Sequence, residues 1–410
     1  MLIIYTVRPM KRLLSFLLVL SCLPISSKSI DDVTKPSENE SGRKIEFISK
    51  IPTTPVRDQY KTSTCWSFSG ISFLETELIR MKKGEYNLSE MFFVRHNYEK
   101  KADRYVRMHG KTNFAAGGEV NDVTDVYAEF GIVPETIYTG LKPDETNHRH
   151  GEMDRILSKY VETLVSSEDN DLSPVWKEGY VKLLDSYLGE LPEEFEYQGQ
   201  NYTPQSFAES LDIDPDDYVM ITSFTHEDYY KSFILEIPDN WSWAESYNVP
   251  LDEFVEIVDS ALIKGYSVSW AADVSENGFN FSKGLAVVPK LCYSDDNSRG
   301  LKKWMKKSSN EKDKLIFSFD QAVEELEVTP EIRQVAFDNF STTDDHGMHI
   351  LGLARDRSGR MLYYVKNSWG TDNPFEGYFF VSKPYFRYKT ISIMVHKEAI
   401  PEKIFKKLAL

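Results

Sequence analysis

Between Trp66 and Lys83 the apolar residues Trp66, Phe73, Leu74, Leu78 and Met81 suit a helix packed on one side, and Lys82-Lys83-Gly84 suits its C-terminus, with cations and then a glycine. From 151 to 210 the chain is acidic and again helical in pattern: Leu157, Tyr160, Val161 and Leu164, then Leu183, Leu184, Tyr187 and Leu188. This predicts a mostly helical insertion over about 141–215. Asp252 to Lys264 has helical spacing and stops at Gly265, and Ser267 to Val274 is strand-like. From His349 onward the pattern turns to β. His349–Ala354 reads as a strand, Asp356-Arg357-Ser358-Gly359 as a hairpin turn, Met361–Val365 as the return strand and Gly377–Val381 as a third. Helices early and strands late make this an α+β chain.

Composition narrows the function classes. The chain has 410 residues, 41% of them hydrophobic and 13% aromatic, enough to bury a sizeable core. Its net charge of −16 argues against nucleic acid as a partner, since phosphate binding needs a basic footprint. The amino terminus reads as an export signal over residues 1–29: Lys11-Arg12, the apolar run Leu13–Leu20, then small and polar residues, with Met10 as an alternative start. The expected location is therefore outside the cytoplasm, in a bacterial periplasm. The alternative is a lipoprotein held through Cys22, because Val19-Leu20-Ser21-Cys22 partly matches a lipobox. Residues 30–43 are polar and read as a linker, followed by a catalytic domain over 44–410. Without the signal, Cys65 and Cys292 remain; Cys292 is read as a buried free thiol, since a bridge would silence Cys65.

The chemistry concentrates at three places. Gln59 precedes Cys65 by six positions, and Trp66-Ser67-Phe68 follows it. Asp345-His346-Gly347-Met348 opens the strand region, and Lys366-Asn367-Ser368-Trp369-Gly370 closes the return strand. Together they supply a thiol, an imidazole, a carboxamide to orient it and a side-chain N–H, the parts of an acyl-transfer site. Cys65 is the expected nucleophile, at a helix start where unpaired N–H groups and the dipole favour thiolate. His346 is the expected general base and acid, Asn367 its orienter, Trp369 the shield over that hydrogen bond, and Gln59 the oxyanion donor. Gly117 and Gly118 are expected to line the substrate cleft, where two glycines admit a close backbone. His349 competes with His346. Positions 346 and 349 on one strand face opposite ways, so His349 is read as structural, and the same alternation disfavours zinc on Cys65, His346 and His349. No metal or cofactor is expected.

These fragments resemble the papain-like cysteine peptidases. The resemblance implies a two-lobed fold, a helical lobe carrying the cysteine and a β-rich lobe carrying the histidine and asparagine. The 281-position separation of Cys65 and His346, together with Leu88-Ser89-Glu90-Met91, Gly131-Ile132-Val133-Pro134-Glu135 and Tyr202-Thr203-Pro204, resembles the bleomycin hydrolase and bacterial aminopeptidase C branch. That branch implies peptide substrates, hydrolysis through a thioester and a homo-oligomer. It also implies a C-terminal arm whose carboxylate faces the substrate's α-amine. Here Lys397–Lys403 resembles the segment before the arm and the sequence stops at Leu410. An open cleft with some endopeptidase action is therefore expected, unless a nearby acidic side chain takes the carboxylate's place. An inactive peptidase-like binding module and a non-peptide amide hydrolase are the competing classes. The intact set of four argues against the first, and substrate profiling decides the second.

Overall fold

The structure, a computed structural model, describes residues 45–142, 144–166, 172–290, 304 and 306–410. The expected leader and linker, Cys22 and Cys292 lie outside the described residues. Helices α1 (Cys65–Arg80), α2 (Glu90–Arg107), α3 (Asn121–Phe130), α4 (Gly151–Val165), α5 (Val175–Leu188) and α6 (Pro204–Leu211) gather around a core that includes Trp66, Phe73, Leu78, Phe92, Phe93, Val123, Leu157 and Tyr180. Local chemistry sets their starts. Ser89 caps α2 by accepting from the Phe92 N–H at 3.0 Å, and Thr203 and Ser206 cap α6 reciprocally with Pro204 in its first turn.

The insertion is not helical throughout. Strands β2 (Phe195–Tyr197) and β3 (Gln200–Tyr202) form a hairpin across Gln198 and Gly199, both with positive φ (51° and 79°). That is the twist a two-residue hairpin turn prefers. Each strand is three residues long, too short for an alternation to stand out. Helix α1 also stops earlier than its apolar pattern. Its last residue is Arg80, and the left-handed residue that follows is Lys82 rather than Gly84 alone.

The second lobe is a sheet whose order is β5 (Ser232–Ile234), β6 (Glu245–Asn248), β4 (Tyr218–Thr222), β13 (Thr390–His396), β7 (Val268–Ala272), β10 (His346–Arg355), β11 (Met361–Lys366), β12 (Tyr378–Ser382), β9 (Leu285–Ala286) and β8 (Phe279–Asn280). Helix α7 (Leu251–Lys264) packs on it and ends at left-handed Gly265, where the sequence places the stop. Trp270, Ile350, Phe254, Phe379 and Val395 share its core.

Strand β10 organises this lobe. Its first half pairs with β7, His346 opposite Ala272 and Ile350 opposite Val268. Its second half pairs along the same edge with β1 (Glu46–Lys50), and its other edge pairs with β11. The handover needs Gly352: a Cβ there would meet the Ser49 carbonyl oxygen at 2.5 Å. The β10–β11 register then sets His349 opposite Lys366, which brings Asn367 to the same end of the sheet as His346.

Candidate active site

Cys65 is the first residue of α1 and is half-buried. The loop before it is wound tightly, with Tyr60 and Ser63 at φ 51° and 54°. Thr62 ties that loop to itself: its Oγ1 donates to the Gln59 carbonyl at 2.9 Å and lies 2.6 Å from Thr64 Oγ1. The same loop is fastened across to the other lobe. The Gln59 N–H donates to the Ser368 carbonyl at 2.9 Å, and Ser368 Oγ donates to Gln59 Oε1 at 2.6 Å. Oε1 is thereby engaged, which leaves the Gln59 amide N–H groups for an oxygen in the cleft that Gln59 and Cys65 both line.

His346 opens β10 and is buried, its ring stacked 4.6 Å from Trp369 at 26°. Trp369 is itself held edge-on by Phe279 and Phe281. His346 Nε2 lies 2.7 Å from Asn367 Oδ1. The carboxamide orientation follows from a second contact: the Ser368 N–H points at the same atom from 2.8 Å, so that atom is the acceptor oxygen. An acceptor facing Nε2 puts the ring proton there and leaves Nδ1 with the lone pair. Asn367 Nδ2 is buried without a hydrogen-bond partner among the described residues.

Strand β10 also brings the next residue onto the sulfur. The Gly347 backbone N–H hydrogen-bonds to Cys65, as does that of Trp66. A Cβ at Gly347 would come within 2.8 Å of Ser69 Oγ and 3.2 Å of the Trp66 backbone, so only glycine lets the strand lie this close to α1.

The electrostatics depart from the expectation drawn from a helix start. Burial pushes the Cys65 thiol up to about 12, the two backbone N–H groups oppose this, and Asp344 and Asp239 add to it. Burial likewise lowers His346 to about 4, against the Asn367 hydrogen bond that raises it. Desolvation outweighs the helix terminus here, so each group taken alone is neutral near pH 7. The neutral imidazole is the form that can accept a proton.

His349 points elsewhere. Gly347 and His349 face α1, where His349 Nδ1 lies 2.9 Å from Ser72 Oγ and the ring packs edge-on to Phe73. Lys366 Nζ donates to that same Ser72 Oγ at 2.8 Å and to Thr54 Oγ1 at 3.1 Å, and Thr54 in turn donates to Glu75. His349 thus belongs to a buried polar wall behind the cleft, as strand alternation requires.

The cleft floor is set from the helical lobe. Trp66 Nε1 donates to the Ala116 carbonyl at 3.0 Å, and buried Lys101 donates to the carbonyls of Ala115 and Gly117. These bonds present Gly117 at the cleft, whereas Gly118 lines a smaller pocket that Cys65 and His346 also line. A cavity of about 770 Å³ is lined by Gln59, Cys65, Ala116, Gly117, His346 and Trp369, and by Asp239. Two contributors are not visible in the sequence. Ser368 is a small polar residue inside a fragment read for its neighbours, and Asp239 sits in a Pro-Asp-Asn stretch that reads as an ordinary turn. Among the described residues no cluster of three or more His, Cys, Asp or Glu is arranged to hold a metal ion.

Comparison with known proteins places the chain in a family. The profile of the Peptidase C1-like family matches residues 22–310 and 299–409. The chain is similar to aminopeptidase C of Lactococcus lactis subsp. cremoris, 23% identical over 87% of this chain and 84% of that protein. It is equally similar to aminopeptidase G of Lactobacillus delbrueckii subsp. lactis, 23% identical over 86% and 83%. Among solved structures it is similar to PepW from Lactobacillus rhamnosis HN001, with a TM-score of 0.64 at 19% identity, covering 88% of this chain and 84% of that one.

Proposed function

Since the chain belongs to the Peptidase C1-like family and is a cysteine-type peptidase, we propose that it removes N-terminal residues from peptides through a thioester on Cys65. The observation that carries this is the 2.7 Å contact of His346 with Asn367 beneath Trp369, in the cleft that Cys65 and Gln59 share. The named aminopeptidases among its relatives support the exopeptidase mode.

The Cys65 sulfur attacks the carbonyl carbon of the substrate's first peptide bond while its proton passes to His346 Nδ1. Negative charge gathers on the carbonyl oxygen, where the Gln59 amide and the backbone N–H of Cys65, at the start of α1, can receive it. Collapse breaks the C–N bond, and His346 gives its proton to the departing amine. Water then attacks the thioester with His346 as base, the C–S bond breaks, and the thiol is restored. Asn367 keeps the imidazole turned toward the sulfur through both half-reactions.

The test is hydrolysis of aminoacyl coumarylamides. The wild-type protein cleaves them, and Cys65→Ala retains less than about 1% of that rate, because loss of a covalent nucleophile costs orders of magnitude. Equal rates in the two proteins contradict the reading. The proposed setting is extracytoplasmic, supported by Lys11-Arg12 and the apolar run Leu13–Leu20. Fractionation that finds the protein in the cytoplasm overturns that part alone.

A further inference from the structure

The α-amine of a peptide is a cation near neutral pH, and seating it beside Cys65 strips it of water, so a counter-charge is needed. Asp239 lines the same cavities as Cys65 and His346. It belongs to the segment 235–244 that joins β5 to β6, and this segment is fixed at several points. Asn240 Nδ2 donates to the carbonyls of Leu235 and Ala244, both at 2.9 Å. Trp241 Nε1 donates to Asp122 Oδ2 at 2.8 Å, and Arg104 donates to the Trp241 carbonyl at 2.8 Å. The segment therefore reaches from the sheet lobe and is anchored on the helical lobe.

The Asp239 carboxylate lies over Gly117. A Cβ built there would fall 2.0 Å from Oδ2 and 2.6 Å from Oδ1. Asn113 Nδ2 donates to Oδ1 at 3.2 Å, and among the described residues no Lys, Arg or His forms an ion pair with it. Burial pushes the Asp239 carboxyl above the usual carboxylate range, Lys101 opposes this and Asp345 adds to it, and the Lys101 ammonium itself donates to the carbonyls of Ala115 and Gly117. Asp239 lines both the open cleft and a smaller pocket behind it.

That pocket is built for hydrogen-bond donors. Cys65 and His346 line it with Asp239, Glu119, Asp344 and Ser269. Glu119 accepts from Ser392 Oγ at 2.8 Å and shares a hydrogen bond with Asp344. Ser269 is 1% exposed, and its Oγ, like Asp344 Oδ2, is buried with no hydrogen-bond partner among the described residues. The cavity is about 10 Å³, which holds roughly one water-sized group. An ammonium with its three N–H donors meets that size; a planar guanidinium does not.

We propose that Asp239 reads the substrate's α-ammonium, with Asp344 Oδ2 and Ser269 Oγ beside it, and so confines cleavage to the end of the chain. Asp239 is a specificity residue of the cleft and has no part in the covalent step. The inference rests on the peptidase reading above.

Two measurements on the full chain test it. The first is kcat/KM on leucyl- and N-acetyl-leucyl-coumarylamide for the wild-type protein, Asp239→Asn and Asp239→Glu. The wild type favours the free amine by about 100-fold. Asp239→Asn lowers the free-amine value by about 30-fold, of the order seen when one partner of a buried charge pair is removed, and changes the blocked value by less than about threefold. Asp239→Glu recovers part of the preference. Equal loss on both substrates, an unchanged ratio, or a loss confined to blocked peptides with a basic residue before the cleaved bond overturns the proposal. Asp239→Ser replaces the asparagine variant if that protein does not fold.

The second measurement is calorimetric binding of leucyl-leucinamide and its N-acetyl form to Cys65→Ser, with and without Asp239→Asn. Binding of the free amine that depends on Asp239, in a protein whose wild type hydrolyses nothing, refutes the peptidase reading and upholds only the recognition of the amine by Asp239. Hydrolysis with equal binding of both ligands does the reverse.

Discussion

Ser368 Oγ donates to Gln59 Oε1 at 2.6 Å, while the Ser368 N–H donates to Asn367 Oδ1 at 2.8 Å. One residue thus orients both carboxamides of the site, the one facing the imidazole and the one proposed for the oxyanion. Its own backbone carbonyl, which accepts the Gln59 N–H, closes the seam between the lobes at the same point.

Gln59→Ala removes one preorganised donor and should lower kcat by about 10-fold to 1000-fold with KM little changed. Ser368→Ala leaves that donor present but unheld, so its loss should be smaller, about 3-fold to 10-fold. Because the two side chains act as a pair, the double variant should be no worse than Gln59→Ala alone. Steady-state kinetics on one fluorogenic substrate checks all three, and additive losses would show that Ser368 acts by another route.

Asn367→Ala should lower turnover by about 10-fold to 1000-fold through loss of the imidazole's orientation, the range for one preorganised hydrogen bond. Trp369→Ala should weaken the same step by opening the 2.7 Å bond to water. If Trp369→Ala matches wild type while remaining folded, the stacked indole shields nothing that matters to turnover.

Removal of His346 isolates the cysteine. Burial already pushes its thiol up to about 12, and thiolate is the form that alkylates. Below such a value the thiolate fraction rises about tenfold per pH unit. In His346→Ala the iodoacetamide rate at Cys65 should therefore climb steadily from pH 6 to pH 10, without the neutral-pH plateau that a base beside the sulfur would produce. A plateau near pH 7 in that variant would show that another group deprotonates Cys65.

His349→Ala should spare turnover in the folded protein and cost stability. It leaves Ser72 Oγ, which accepts from Lys366, without its buried imidazole partner, a loss of about 1–3 kcal/mol measurable by denaturant unfolding. Catalytic collapse at unchanged stability would exchange the roles of the two histidines.

The parts of the site that could be read from the sequence are those carried by short contiguous fragments. Gln59 with Cys65, His346 ahead of an apolar strand, and Asn367 with Trp369 each bring several residues into one frame, and the fold joins the frames through β10 and β11. The facing of His349 followed from alternation alone. Residues whose position depends on tertiary contact stayed hidden. Asp239 reaches the cleft because Trp241 and Arg104 anchor its loop to another lobe. Ser368 matters because Gln59, 309 positions away, comes within 2.6 Å of it. The protonation of Cys65 was likewise out of reach, because the helix start is visible in sequence and the desolvation that outweighs it is not.

Covalent catalysis by Cys65 is tested most directly by trapping the acyl-enzyme. An N-terminally free amino-acid nitrophenyl ester, mixed with the wild-type protein and quenched in acid within the first turnovers, should leave the mass of one acyl group on the tryptic peptide bearing Cys65. That adduct should decay at the steady-state rate on dilution into buffer and be absent from Cys65→Ala. Turnover at the wild-type rate with no adduct on Cys65, or an adduct of the same yield on Cys65→Ala, would contradict covalent catalysis by this residue.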